Sequence, residues 1–287
     1  MRIVVTGANG MLGRDLCATL CKDNQVLGLD LEDMNITREE EVMSAIPPFK
    51  PDIVIHTAAF TDVDACEKKP EKAFLVNDSG TANVVNACKE VGCPLVYLST
   101  DFVFNGDKKE PYTETDKPDP LNVYGKSKLA GEKHVASLNN FFIIRTAWLF
   151  GRWGQNFVTK ILEKAKTHNV LRVVDDQIGS PTYTVDLCRK LSLVIQTRSF
   201  GVYHMCNEGS CSRFSFAREI VNKANIRQIE IIPIKSSELP PSVRRPANSA
   251  LENSNLRKSL IGNMRRWEVA LEEFLKKNSV ASYKKTA

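Results

Sequence analysis

Tyr124 and Lys128 stand four residues apart in Tyr124-Gly125-Lys126-Ser127-Lys128. That spacing puts both side chains on one face of a helix, one turn apart. A phenol is a poor acid at neutral pH unless a nearby cation stabilises its phenolate. Lys128 is placed to supply that cation, so the pair predicts a site that gives a proton to a carbonyl oxygen or takes one from a hydroxyl. Y-x-x-x-K also arises by chance on exposed helices, so the pentapeptide needs company. It has company. Glycines 7, 10 and 13 form a G-x-x-G-x-x-G turn behind the β-branched run at residues 2–5. A turn of this kind, strand before and helix after, predicts a bare backbone against a dinucleotide's diphosphate at the positive end of a helix. Between the two lies Ser99-Thr100-Asp101, at the carboxyl end of an apolar run, where open α/β sheets place their ligands.

The frame that must position these residues is an alternation of strand and helix. The next strand, residues 25–29, ends in Asp30, about twenty residues beyond the middle of the glycine turn, where a ribose-binding acid is expected. An acid there favours a free 2′-hydroxyl, whereas Arg14, just after the last glycine, could meet a 2′-phosphate. The two signals point in opposite directions. A helix is predicted over 38–45 and a buried parallel strand over 52–56. The small residues Thr57, Ala58 and Ala59 behind that strand suit a backbone close to a cofactor. Residues 70–91 read as one long helix carrying Asn77, 95–98 as a buried strand, 105–120 as a loop before the Tyr124 helix, and 141–145 as a further strand. Past Gly151 the pattern becomes irregular. Helices are predicted over 156–166, 185–196, 215–224 and 267–276, an ordered loop over 175–182, and a strand over 201–205. The last ten residues, from Asn278, look frayed. The fold class is therefore α/β. A Rossmann-type doubly wound parallel sheet occupies residues 1–150 and is rejoined by a strand near 201–206; a smaller, interleaved α/β substrate-binding cap takes up most of 151–287.

At 287 residues the chain can bury a large core, and its 43% apolar and 25% charged residues are ordinary for a globular protein. The 39 basic and 34 acidic residues leave +5, scattered along the chain. Two short basic runs, Arg244-Arg245 and Lys284-Lys285, are too little to predict nucleic-acid or membrane binding. Eight cysteines without a C-x-x-C predict reduced thiols rather than a disulfide frame. The dispersed histidines His56, His134, His168 and His204 argue against zinc. No apolar run approaches the roughly eighteen residues of a membrane span, and the chain opens directly on a strand with no leader ahead of it. A cytoplasmic location is expected.

Together, T-G-x-x-G-x-x-G, the Ser-Thr-Asp strand end and Y-x-x-x-K resemble the extended short-chain dehydrogenase/reductases. Longer stretches resemble, more closely, the dTDP-4-dehydrorhamnose reductase family. These are residues Thr57-Ala58-Ala59-Phe60-Thr61-Asp62-Val63-Asp64, Ser99-Thr100-Asp101-Phe102-Val103-Phe104 and Pro120-Leu121-Asn122-Val123-Tyr124-Gly125. Arg145-Thr146-Ala147-Trp148, Asp176-Gln177-Ile178-Gly179-Ser180-Pro181-Thr182 and Arg244-Arg245-Pro246 extend the match, which reaches to about Leu275. The resemblance implies that Thr100, Tyr124 and Lys128 form the catalytic group. It implies dinucleotide contacts from Gly7, Gly10, Met11, Leu12, Asp30, Ala58 and Ala59, with Asn9, Gly13 and Asn35 in the same set and Tyr124 and Lys128 shared with it. Val63, Thr100, Asp101, Trp148 and Asn156 fall where the family meets its sugar nucleotide. The implied cofactor is NADPH, with NADH tolerated. The chain also departs from the pattern: Phe60, Phe102 and Phe150 stand where relatives often carry tyrosine. Some members bind Mg²⁺ through glutamates at a dimer interface. One such position here is the shorter Asp15, which leaves the metal open, and a homodimer is among the assemblies the resemblance allows.

The reaction so implied is hydride transfer to C4 of dTDP-4-dehydro-6-deoxy-L-mannose, the last step of dTDP-L-rhamnose synthesis. Tyr124 would protonate the developing alkoxide and Thr100 would hydrogen-bond the same oxygen. Lys128 would hold the phenol's pKa down and bond the nicotinamide ribose. A dTDP-sugar also carries a diphosphate, and the first half of the chain offers no cation near its strand ends. Arg245, after the proline pair Pro240-Pro241, is the expected clamp, because arginine's planar fork suits phosphate oxygens. Two rival readings stay open. A sugar-nucleotide dehydratase or epimerase shares the superfamily; dehydration needs an acid/base pair after Thr100, and Phe102 following Asp101 cannot move a proton. A non-catalytic regulatory subunit, of the type that partners methionine adenosyltransferase, shares the fold, but the intact Thr100/Tyr124/Lys128 set favours an enzyme.

Overall fold

The computed structural model describes residues 1–239 and 243–278; Pro240-Pro241 and the tail beyond Asn278, including Lys284-Lys285, lie outside the described residues. The first half runs β1 (Arg2–Thr6), α1 (Met11–Leu20), β2 (Gln25–Leu29), α2 (Glu39–Ala45), β3 (Ile53–His56), α3 (Val63–Lys68), α4 (Pro70–Phe74), α5 (Gly80–Val91), β4 (Leu95–Thr100), α6 (Val123–Val135) and β5 (Phe141–Thr146). The second half begins with β6 (Leu149–Phe150), α7 (Phe157–Thr167), β7 (Val170–Val174), β8 (Ile178–Gly179), β9 (Thr182–Tyr183) and α8 (Thr184–Thr197). It continues with β10 (Gly201–His204), β11 (Cys211–Ser212), α9 (Arg213–Lys223), β12 (Glu230–Ile234), α10 (Ser254–Lys258) and α11 (Trp267–Lys277).

Six strands form one parallel sheet in the order β10-β5-β4-β3-β1-β2. The winding reverses between β1 and β3, and a doubly wound sheet opens a crevice at that point of its carboxyl edge. Alternation along the strands feeds two cores. Ile3, Val5, Ile55 and Ile144 pack on one face with Leu12, Leu16 and Leu20 of α1 and Leu187, Leu191 and Ile195 of α8. Each helix thus presents a stripe at a spacing of four, one side of a helix. Val4, Val54, Tyr97 and Ile143 turn to the other face, against Val42 of α2 and Val84 and Cys88 of α5. Burial on both faces is why these strands read as continuous apolar runs.

Both α8 and β10 belong with the sheet, so the second half is divided. The rest of it forms a smaller unit whose core gathers Phe150, Phe216, Trp267 and Phe274, with β7 lying parallel to β12. Two expectations are corrected here. The stretch 175–182 is not all loop: it contains β8 and the first residue of β9, which pair with β11 and β6. Two-residue strands are too short to show a period in sequence. The helix expected over 70–91 is interrupted by a π turn at Leu75–Ser79. Among the described residues no helix is long and apolar enough to cross a membrane.

Candidate active site

The crevice begins where β1 runs into Gly7. Gly7 holds a φ of +70°, a left-handed conformation open to glycine, and a Cβ there would stand 2.7 Å from Ala58 N. At Gly13 a Cβ would stand 2.1 Å from Gly7 O, so only glycine lets α1 start this close to the strand. Gly10 caps α1 without a side-chain hydrogen bond, and the first turn carries no acid. The helix therefore offers its positive end and its first N–H groups to an anion. These features fit a dinucleotide's diphosphate. At the end of β2, Asp30 Oδ2 accepts from Asn9 N at 2.7 Å and Oδ1 from Leu31 N at 2.8 Å. Arg14 instead donates to Asn9 O at 2.9 Å and lies over the Trp153 ring, and it does not line the cleft. Of the two, Asp30 lines the cleft and Arg14 is spent on Asn9 O and the Trp153 ring. Beneath the turn, Thr6 Oγ1 and His56 Nδ1 lie 2.7 Å apart, and burial brings the imidazole down to about 3, which keeps it neutral.

From this turn a cleft of about 1550 Å³ runs across the carboxyl ends of β3, β4 and β5. Every residue expected at the dinucleotide lines it, and so do Thr100, Tyr124, Lys128, Val63, Asp101, Trp148 and Arg245. Asn156 does not. Its side chain caps α7, accepting from Thr159 N at 3.2 Å and donating to Gly151 O at 2.9 Å. The amide oxygen caps the helix, a role asparagine favours, and the amide nitrogen is spent on Gly151 O. Asp15 also departs from expectation. Its Oδ1 accepts from Trp153 Nε1 at 3.0 Å and its Oδ2 from Thr184 Oγ1 at 2.5 Å. Among the described residues no three His, Cys, Asp or Glu side chains gather as metal ligands.

The opposite wall is α6. Its N-cap, Asn122, accepts from Gly125 N at 2.9 Å and donates to Arg244 O at 3.0 Å. One side chain thus starts the helix and ties down the Arg244-Arg245 loop. Gly125 lets the helix lie on the residues after β4, since a Cβ there would stand 2.1 Å from Phe102 O. Lys128 Nζ sits 4.0 Å above the Tyr97 ring. One turn on, Glu132 accepts from Ser99 Oγ at 2.5 Å and from Arg145 Nε and Nη2 at 2.9 and 2.7 Å. In the π turn, Asn77 donates to Phe60 O and to Ser127 Oγ, each at 3.0 Å, and accepts from Phe60 N at 2.8 Å. The wider turn swings this amide against the catalytic helix, a common use of π bulges.

Burial governs the charges in the cleft. It lowers Lys128 to about 7, with Glu132 opposing. It pushes the Tyr124 phenol well above its ordinary value, with the Thr100 hydroxyl opposing. It lifts Asp101 to about 6, against the hydroxyls of Ser249 and Thr100 and the Arg213 charge. Burial outweighs every neighbour in setting the Tyr124 phenol. Thr100 is the neighbour that opposes it. Its own hydroxyl donates to Asp101 Oδ1 at 3.0 Å and accepts from Phe102 N at 3.2 Å, while Ser249 Oγ donates to Asp101 Oδ2 at 2.5 Å. The D-Q-x-G-x-P-T segment has a steric reason: a Cβ on Gly179 would stand 2.3 Å from the Trp148 indole. Glu132 was detectable in principle as the residue one turn beyond Lys128. Arg213 and Ser249 arrive from far along the chain and leave no local signal.

The pattern of the RmlD substrate binding domain family matches residues 1–280. The chain is 39% identical to the spore coat polysaccharide biosynthesis protein SpsK of Bacillus subtilis, over 98% of this chain and 99% of that one. It is 38% identical to a dTDP-4-dehydrorhamnose reductase of Sinorhizobium fredii, over 93% and 94%. The crystal structure of dTDP-4-dehydrorhamnose reductase from Bacillus anthracis in complex with NADP superposes with a TM-score of 0.93 at 40% identity, covering 96% of this chain and 99% of that one.

Proposed function

This chain belongs to the RmlD substrate binding domain family, and we propose that it reduces the C4 ketone of dTDP-4-dehydro-6-deoxy-L-mannose to give dTDP-L-rhamnose, the last step of dTDP-rhamnose synthesis. It is an NAD(P)H-dependent sugar-nucleotide oxidoreductase. One observation carries this reading: a single cleft holds the Gly7–Gly13 turn at one end and Thr100, Tyr124 and Lys128 at the other. The dihydronicotinamide, when bound, supplies the hydride. The chain's own residues do the rest. The glycine turn seats the diphosphate, and Asp30 accepts from the adenosine ribose. Tyr124 gives its proton to the C4 oxygen as charge develops there. Thr100 turns its hydroxyl from Asp101 Oδ1 to the same oxygen and fixes it. Lys128, whose charged form Glu132 favours, donates to the nicotinamide ribose. A positioned acid of this kind contributes roughly 10²–10⁴-fold, and orientation in the cleft adds to it.

Both nicotinamide cofactors are used in this reading, NADPH in preference. The NADP-bound relative supports the phosphorylated form, whereas Asp30 beside the glycine turn tolerates NADH. The eight free cysteines suit a reducing cytoplasm. Against a dehydratase, Phe102 lies edge-on to Tyr124 with ring centroids 5.9 Å apart, a hydrocarbon where elimination needs a second proton carrier. The test is direct. Purified chain is supplied with dTDP-4-dehydrorhamnose from a coupled upstream system, and oxidation of NADPH and of NADH is followed. Oxidation with that ketone supports the reading. No oxidation of either cofactor, together with recovery of a stoichiometric partner enzyme, would replace the reductase with a regulatory subunit.

A further inference from the structure

Arg213 opens α9 and lines the cleft, yet none of the roles above uses it. Its guanidinium carbon stands 3.5 Å from the centre of the Trp148 ring and 5.0 Å from that of Phe157. Its backbone N–H donates to Gln177 O at 3.1 Å, so the D-Q-x-G-x-P-T segment fixes both the arginine's main chain and, through Gly179, the indole under its head. A guanidinium laid on aromatic rings keeps its donors in one plane and aims them sideways. Arginine has five N–H donors, and among the described residues the guanidinium of Arg213 hydrogen-bonds no protein acceptor. Arg213 is half-buried, so the donors that the chain leaves free can be met by an anion in the cleft it lines.

The surroundings say which acceptors fit. Burial lowers Arg213 to about 10; Asp101 opposes this and Arg245 adds to it. Arg213 therefore has the carboxylate beside Thr100 on one hand and a second arginine on the other. Arg245 is itself held by Asp64 Oδ2 at 3.0 Å. Two arginines lining one cleft match a ligand with more than one negative charge, and it is Arg213 whose charge acts on Asp101 beside Thr100.

We propose that Arg213 anchors the substrate by binding the sugar-proximal phosphate of the nucleoside diphosphate-sugar, sharing the diphosphate with Arg245. The inference rests on the sugar-nucleotide reading above. Its competitor is a purely internal role, in which Arg213 only offsets the charge of Asp101.

Calorimetric titration of the full chain separates these roles. Wild type, Arg213→Gln and Arg213→Lys are titrated with dTDP-L-rhamnose, dTDP, dTMP and NADPH. Arg213→Gln should weaken dTDP-L-rhamnose and dTDP by about ten- to a hundredfold, the span of a charge-assisted hydrogen bond, and leave dTMP and NADPH nearly unchanged. Arg213→Lys should keep part of that loss, because an ammonium neither stacks nor forks. Equal losses for dTMP and dTDP, or no loss for either, would overturn the proposal and leave the internal role. If Arg213→Gln no longer binds NADPH its fold is lost, and Arg213→Lys then carries the same comparison. A wild type that binds UDP- or GDP-linked sugars instead refutes the thymidine reading alone. The contrast of diphosphate with monophosphate is then read in that base series. A wild type that binds no nucleoside diphosphate overturns both.

Discussion

Tyr124 holds its proton tightly, since burial raises its pKa and only the Thr100 hydroxyl opposes. In the direction of reduction that is useful: the acid must still be protonated when the hydride arrives. Tyr124→Phe keeps the ring and removes the proton, so NADPH affinity should survive while turnover falls by roughly 10²–10⁴-fold. Near-normal turnover in that variant would sink the assignment. Lys128 behaves oppositely. Its pKa is lowered to about 7 by burial, so it is charged below that pH and neutral above it. The cation is the form that donates to a ribose hydroxyl through all three of its hydrogens. The kcat/KM for reduction should therefore fall as pH rises through about 7, an alkaline limb belonging to the free enzyme. Lys128→Met should be slow and lack that limb. If the limb persists unmoved in Lys128→Met, another group titrates there.

At the scale of elements, what is legible in the sequence is what neighbours along the chain decide. Gly7, Gly10 and Gly13 recur every three residues and Tyr124 and Lys128 are four apart, so local geometry alone announces the turn and the catalytic face. The strands β1, β3, β4 and β5 are legible for the same reason, as apolar runs buried on both sides. Asn156 carries a local signal of its own: Asn156-Phe157-Val158-Thr159 forms a reciprocal cap at the start of α7, and asparagine before an apolar run marks a helix start. The π turn is different. No propensity separates it from an ordinary helix, and the demand for it comes from Phe60 and Ser127, both distant in sequence from Asn77. Ser249, which holds Asp101, and Arg213, which lines the cleft, arrive only through the tertiary fold. The loop motif at Gly179 lies between these cases, visible as a pattern but explained by its packing. Gly179→Ala would drive a methyl group into the Trp148 indole and displace it. Overpacking of this kind costs about 1–3 kcal/mol, and here it should fall on substrate affinity while NADPH affinity stays. A Gly179→Ala protein that binds dTDP-L-rhamnose normally would show that the indole's position is not needed.

Over the whole molecule the cleft is shared between two units of different kind. The sheet edge, through the glycine turn and Asp30, offers a site for the dinucleotide; the smaller unit and its loops contribute Trp148, Arg213 and Arg245. Two of the ties that cross from one side to the other hold the Arg244-Arg245 loop. Asn122 on α6 donates to Arg244 O, and Arg245 pairs with Asp64 on α3. The second tie is half-exposed, with side chains 32% and 51% accessible, and such pairs are worth only about 0–1 kcal/mol. Exchanging the Asp64 carboxylate for a phosphate oxygen therefore costs little. The Arg245 head can exchange that partner while Asn122 still holds the main chain of the loop. Arg245→Ala should accordingly leave Tm almost unmoved, and it should weaken dTDP-L-rhamnose by about 1.5–3 kcal/mol, the range for a hydrogen bond to a charged group. NADPH affinity should hardly change, because the dinucleotide's diphosphate is assigned to the Gly7–Gly13 turn at the other end of the cleft. Titrating the variant with each ligand in turn decides it: equal loss for both, or loss for neither, rejects this loop as the substrate clamp.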